Sequence, residues 1–214
     1  MPHAGMNFEY TSWGKRENST HYYRYGGKTE CNYIRHLPGT ALHCVLRSMY
    51  YDFPHRPCRW VNIGDNCPSD TKCNCAGHPE NSHKGGYSLD IEYFTLTTSN
   101  ITEKGTPRTV IWNDDGTLKT DVFDWERTYH FITRMARVFP KVLFMMDERI
   151  RLYLCQQIEK HFGYDAKRAF QMHTQGDAPK KYNHDTHMHC THLDVVELDA
   201  LIDDWVEMEW RMAA

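Results

Sequence analysis

No apolar run in this chain approaches the roughly 18 residues needed to span a bilayer, so no transmembrane helix is expected. Basic excess is lacking too: 25 Lys and Arg stand against 28 Asp and Glu, a formal charge of −3. Without surplus cations there are no counterions to release on phosphate binding, and nucleic acid is not an expected partner. The opening Met1-Pro2-His3-Ala4-Gly5-Met6 has neither the charged nor the apolar region of a signal peptide. A soluble protein is expected, whether intracellular at synthesis, exported by another route or already processed. His-Glu-x-x-His is absent, which excludes a helix-borne zincin site. No Gly-x-Ser-x-Gly elbow or P-loop occurs, and no internal repeat or low-complexity tract is visible.

Forty per cent apolar and 25 per cent charged residues suit one well-buried domain in 214 residues. Histidine is abundant, with 14 copies, and this raises the expectation of a metal. Of eight cysteines, Cys58, Cys67, Cys73 and Cys75 crowd one stretch, while Cys31, Cys44, Cys155 and Cys190 are dispersed. An even count with a local cluster suits a disulfide-stapled loop in an oxidising compartment. Reduced thiols are the second reading. A structural zinc knuckle of Cys67, Cys73, Cys75 and His78 is the third, although Cys-x-Cys departs from the usual ligand spacing.

Residues 1–57 are rich in Tyr, His, Gly and Pro; loops, short strands and one short helix near Ala41–Tyr51 are expected. They form a loop-rich extension packed on a main domain of residues 58–214. Arg59–Asp65 reads as a short strand, and residues 66–86 as a long polar loop. Tyr87–Thr98 alternates, with Leu89, Ile91 and Tyr93 on one face and Ser88, Asp90 and Glu92 on the other. Thr109–Trp112 is a further strand, closed by the turn Asn113-Asp114-Asp115-Gly116. Asp121–Phe139 carries Trp125, Tyr129, Ile132, Ala136 and Phe139 at helical spacing. Lys141–Met146 is a buried strand, after which Asp147 caps a helix bearing Ile150, Leu154 and Ile158. Leu193–Trp210 closes the chain as an amphipathic helix with a strongly acidic outer face.

The chemistry concentrates in His184-Asp185-Thr186-His187-Met188-His189. In an extended strand residues two apart share a face, so His187 and His189 project together with His184 on the entering loop. About a hundred residues upstream, His83 ends a Gly-containing loop and Asp90 lies on the polar face of the next strand. Two imidazoles and a carboxylate are the donor types that bind Zn²⁺ and leave a fourth position for water. Cys190, beside the ligand strand and near His192, reads as a buried thiol rather than a nucleophile.

His83-x₆-Asp90 followed by His187-x-His189 resembles the pattern of the penicillin-insensitive murein endopeptidases. These are a branch of the lysostaphin/D-Ala-D-Ala-peptidase/hedgehog group of zinc proteins. Other segments agree in the family's order: Val61-Asn62-Ile63-Gly64-Asp65, Ser82-His83-Lys84-x-Gly86, Phe123-Asp124-Trp125-Glu126-Arg127 and His184-Asp185-x-His187-x-His189. The likeness spans about residues 60–192. It departs from the family at Glu80, where a His is usual, at Ser88, where an Asp is usual, and at Cys190-Thr191, where Val-Arg is usual.

The resemblance implies an α+β fold whose small antiparallel sheet carries the zinc site, flanked by helices. It implies that His83, Asp90 and His189 hold Zn²⁺, that His187 acts as general base or oxyanion stabiliser, and that His184 assists. The implied substrate is a peptide cross-link of bacterial peptidoglycan, of the D-Ala–meso-diaminopimelate type. The implied workplace is the periplasm or cell-wall face, for a secreted or phage-derived enzyme. A D-Ala-D-Ala carboxypeptidase of the same group, and a non-catalytic zinc-stabilised wall-binding module, are the alternatives.

Overall fold

The structure, a computed structural model, describes residues 10–12, 23–24, 33–53, 62–64, 87–96, 111–177, 184–200 and 202–203. Its elements are β1 (Tyr10–Ser12), β2 (Tyr23–Arg24), β3 (Tyr33–Arg35), α1 (His36–Asp52), β4 (Asn62–Gly64) and β5 (Leu89–Glu92). There follow α2 (Trp125–Val138), β6 (Leu143–Asp147), α3 (Glu148–Phe162), α4 (Tyr164–Met172), β7 (Thr174–Asp177) and β8 (His187–Thr191). The fold is α+β. Six strands form one sheet in the order β2-β4-β5-β8-β6-β7, and β1 pairs with β3 separately.

The sheet is mixed, which corrects the expectation of an antiparallel one. Pairs β4–β5, β5–β8 and β6–β8 are antiparallel, but β6–β7 and β2–β4 are parallel. The reason for the β6–β7 pair is local. Between β6 and β7 the chain runs through α3 and α4, and such a helical crossover returns a strand in the same direction.

Period-two alternation separates the two faces of the sheet. Ile91, Met188, Cys190, Phe144 and Met146 are buried in the core, where they join Phe131, Ile132 and Met135 of α2. Phe131 sits edge-on to Phe144 at 6.0 Å and tilts against Phe94 at 5.4 Å. Helix α2 also packs on α1, α3 and α4. Its start is set by Asp124, whose carboxylate accepts from Arg127 N–H and satisfies one of the exposed donors of the first turn.

Helix α1 is longer than the short helix expected, and Ala41, Leu42, Val45, Leu46 and Met49 belong to the same core. Arg134 of α2 ties it down through Ser48 and Asp52. The N-terminal region thus contributes β2 to the sheet and α1 to the core.

At the other end, the expected helix from Leu193 starts only at residue 198. Leu193 is buried and its N–H donates to Tyr87 O, while Glu197 N–H donates to Val138 O. These bonds hold residues 193–197 against neighbouring elements and forestall a helical turn. Leu198, at the start of that helix, is half exposed. Among the described residues no helix is long and apolar enough to cross a membrane.

Candidate functional site

Opposite the helix-covered face, β5 and β8 bring their polar positions into register. Asp90 faces His189 and Glu92 faces His187 as direct antiparallel partners. On the far side of β8, Met145 of β6 is the partner of His189. Gly64 of β4 lies opposite Asp90. Met188 and Cys190 take the intervening positions and point into the core, so the same alternation that buries them turns both histidines outward.

Asp90 stands between two imidazoles. His189 Nδ1 is 2.9 Å from its Oδ1, and His187 Nε2 is 3.6 Å from its Oδ2. Asp90 and His189 are buried, whereas the His187 side chain keeps 18 % of its exposure, with its Nε2 turned inward to Asp90. His184 completes the group. Its ring lies parallel to His189 at 6.0 Å and edge-on to His187 at 5.4 Å. Four of the five residues singled out from sequence are therefore brought together from segments a hundred residues apart. The fifth, His83, lies outside the described residues, as do Cys58, Cys67, Cys73, Cys75 and His78 of the cysteine-rich stretch.

The entry to β8 is held by groups that the motif does not contain. Tyr93, expected only as a core-facing residue, donates from its hydroxyl to His184 O at 2.9 Å and accepts from Asp147 N–H at 3.2 Å. Burial, then the nearby carboxylates, push its phenol well above the usual tyrosine range although the Asp147 bond pulls it down, so it stays a neutral donor. Trp112 Nε1 donates to Asp185 O at 2.6 Å. Arg149 covers the Trp112 ring at 4.0 Å and is paired with Asp147 at 2.7 Å. Asp177 lies at the end of β7, and its Oδ2 is 2.5 Å from His184 Nδ1. Burial lowers the His184 pKa, outweighing the opposing pull of Asp177.

The Tyr93 contact can be checked on its own. Tyr93→Phe removes a buried hydroxyl bonded to both groups, while Asp147 N–H and His184 O keep their own bond at 3.3 Å. A loss of about 0.5–1.5 kcal/mol is expected in urea unfolding. An unchanged midpoint would show that the hydroxyl bridge carries no weight.

Several donors here suit a metal. Two ligand atoms at about 2.0–2.1 Å from a tetrahedral zinc lie about 3.3 Å apart. The contact between Asp90 Oδ1 and His189 Nδ1, at 2.9 Å, is somewhat shorter than that spacing. Among the described residues no three His, Cys, Asp or Glu side chains converge as a complete cage. Cys190, by contrast, is an inert thiol: burial, and secondarily Asp90, push its pKa well above the ordinary cysteine value.

No family model matches the chain, and no curated protein matches it.

Proposed function

We propose that the chain is a zinc-dependent murein endopeptidase that hydrolyses D-Ala–meso-diaminopimelate-type peptide cross-links of bacterial peptidoglycan, working at the periplasmic or cell-wall face. One observation carries the reading: Asp90 and His189, remote in sequence, are direct cross-strand partners, with His187 against the other carboxylate oxygen. The motif order shared with the penicillin-insensitive murein endopeptidases supports the substrate class. It also supports His83, Asp90 and His189 as the residues that would hold the ion.

Zinc would supply Lewis acidity, polarising the scissile carbonyl and acidifying water towards neutral pH. The chain's own residues do the rest. Asp90 fixes the separation of the two imidazoles and supplies the anionic charge a divalent cation requires. His187, whose Nδ1 lies 3.1 Å from Thr186 Oγ1 and whose Nε2 faces Asp90, would take a proton from water held beside Asp90 and return it to the leaving amine. His184, buried and anchored at its carbonyl and its ring, lines the inner wall of the group.

The direct test is digestion of purified muropeptides followed by mass spectrometry, with metal analysis of protein prepared without an affinity tag. Loss of cross-linked dimers without loss of terminal D-Ala is the expected result, alongside stoichiometric zinc. Release of terminal D-Ala alone would make the protein a carboxypeptidase, and no turnover on any murein would leave a binding module. His187→Ala should lower turnover about 10²–10⁴-fold while zinc stays bound, because it removes proton transfer and not a ligand. Zinc lost together with activity would instead make His187 a ligand.

A further inference from the structure

The pairing of Asp177 with His184 extends the site by a residue that no motif contains. Asp177 closes the edge strand β7 and is the direct parallel partner of Asp147, the last residue of β6. His184 stands in the turn entering β8, on the other side of β6. The carboxylate therefore reaches over the end of β6 to meet the imidazole, and both side chains are buried. At its other end His184 is fixed through its carbonyl, which accepts from Tyr93 O–H and from Asp147 N–H. An ionised carboxylate can only accept, so the hydrogen of this contact belongs to Nδ1 and the ring lone pair to Nε2. The same ring is edge-on to His187 and parallel to His189.

We propose that Asp177 is a positioning residue of the site: it holds His184 as the Nδ1–H tautomer and fixes its ring 5.4 Å from that of His187. This rests on the hydrolase reading for its effect on turnover. A carboxylate behind an imidazole fixes ring orientation as well as tautomer, and losing it leaves the ring to rotate or to protonate at the wrong nitrogen.

Asp177→Asn is the informative substitution, because it keeps the side-chain volume and can reverse the hydrogen bond by presenting its NH₂ group. In ¹⁵N-histidine-labelled protein, the His184 signals should switch from Nδ1–H in the wild type to Nε2–H or a mixture in the variant. Turnover of cross-linked muropeptide should fall about 10²–10⁴-fold with bound zinc unchanged. In a His184→Ala background, Asp177→Asn should cost less than a further twofold, since a residue acting through another has nothing left to act on. Persistence of the Nδ1–H signal in Asp177→Asn would overturn the proposal. So would an undiminished loss in the His184→Ala background, or zinc lost in parallel with activity. A wild type without murein turnover defeats the hydrolase reading instead, and the tautomer measurement still decides whether Asp177 sets His184.

Discussion

On the proposed zinc-hydrolase function, Asp90→Ala is expected to strip the protein of zinc and lower turnover of cross-linked muropeptide by about 10³–10⁴-fold or more. The magnitude follows from the several kcal/mol that Lewis-acid catalysis supplies, at about 1.4 kcal/mol per tenfold in rate. The position makes the loss irreplaceable. Asp90 is the carboxylate in contact with both His187 and His189, and it is the direct cross-strand partner of His189. Removing it leaves two imidazoles with no anion between them, and a divalent cation gains little there. Asp90→Asn refines the test, because the amide keeps the volume and can still accept from His189 while its charge is gone. Zinc should be lost in Asp90→Asn as well, with far-ultraviolet circular dichroism unchanged. Full zinc occupancy in Asp90→Asn would refute Asp90 as a ligand and leave it as a packing partner of His189.

Much of the frame that carries this pair was legible in the chain, for identifiable reasons. Strand β5 announces itself by alternation, and Ile91 and Tyr93 are indeed buried. Helix α2 and helix α3 have regular apolar spacing, and Asp147 caps α3 as expected, whereas α2 starts at Trp125 behind Asp124 and not at Asp121. The His-x-His strand follows from period two alone, since Met188 and Cys190 occupy the core-facing positions.

What escaped lies between residues 163 and 177. Helix α4 follows α3 after the single residue Gly163, which takes φ +89° and leaves no loop to read. Only Phe170 of α4 is buried, so no apolar stripe marks the helix. Strand β7 reads Thr-Gln-Gly-Asp, a composition poor in strand formers. It is extended because β6 pairs with it, and the Glu148 carboxylate packs into the space that a Cβ at Gly176 would fill. Asp177 was invisible for the same reason: its meeting with His184 depends on a parallel register that no local pattern encodes. Tyr93 was read correctly as buried, but its hydroxyl partners, His184 O and Asp147 N–H, are 91 and 54 residues away.

Phe144→Ala is expected to cost about 3–5 kcal/mol in unfolding free energy, the usual range for emptying a fully buried aromatic site. Phe144 is fully buried on β6, the strand next to the β7 edge, with Cys190 of β8 and Thr174 of β7 as its strand partners and Phe131 edge-on to it. The lost ring contact with Phe131 contributes about 0.5–1.5 kcal/mol of this. For a chain of this size the melting temperature should drop by about 10 °C. Leu152→Ala supplies the contrast, since that side chain is about half exposed on α3 and its loss should stay within about 0.5 kcal/mol.

The two faces of the sheet also make a sharper demand. A metal that binds only the folded chain raises stability by about 2.7 kcal/mol at a hundredfold excess over Kd. Phe144 is on the core face, and its neighbour Met145 is on the face shared with His189. The difference in melting temperature between zinc and a chelator should therefore persist in Phe144→Ala and vanish in Asp90→Ala. If Phe144→Ala abolished that difference as well, the two faces would be energetically coupled, and the site would depend on the packing beneath it rather than on the cross-strand pair alone.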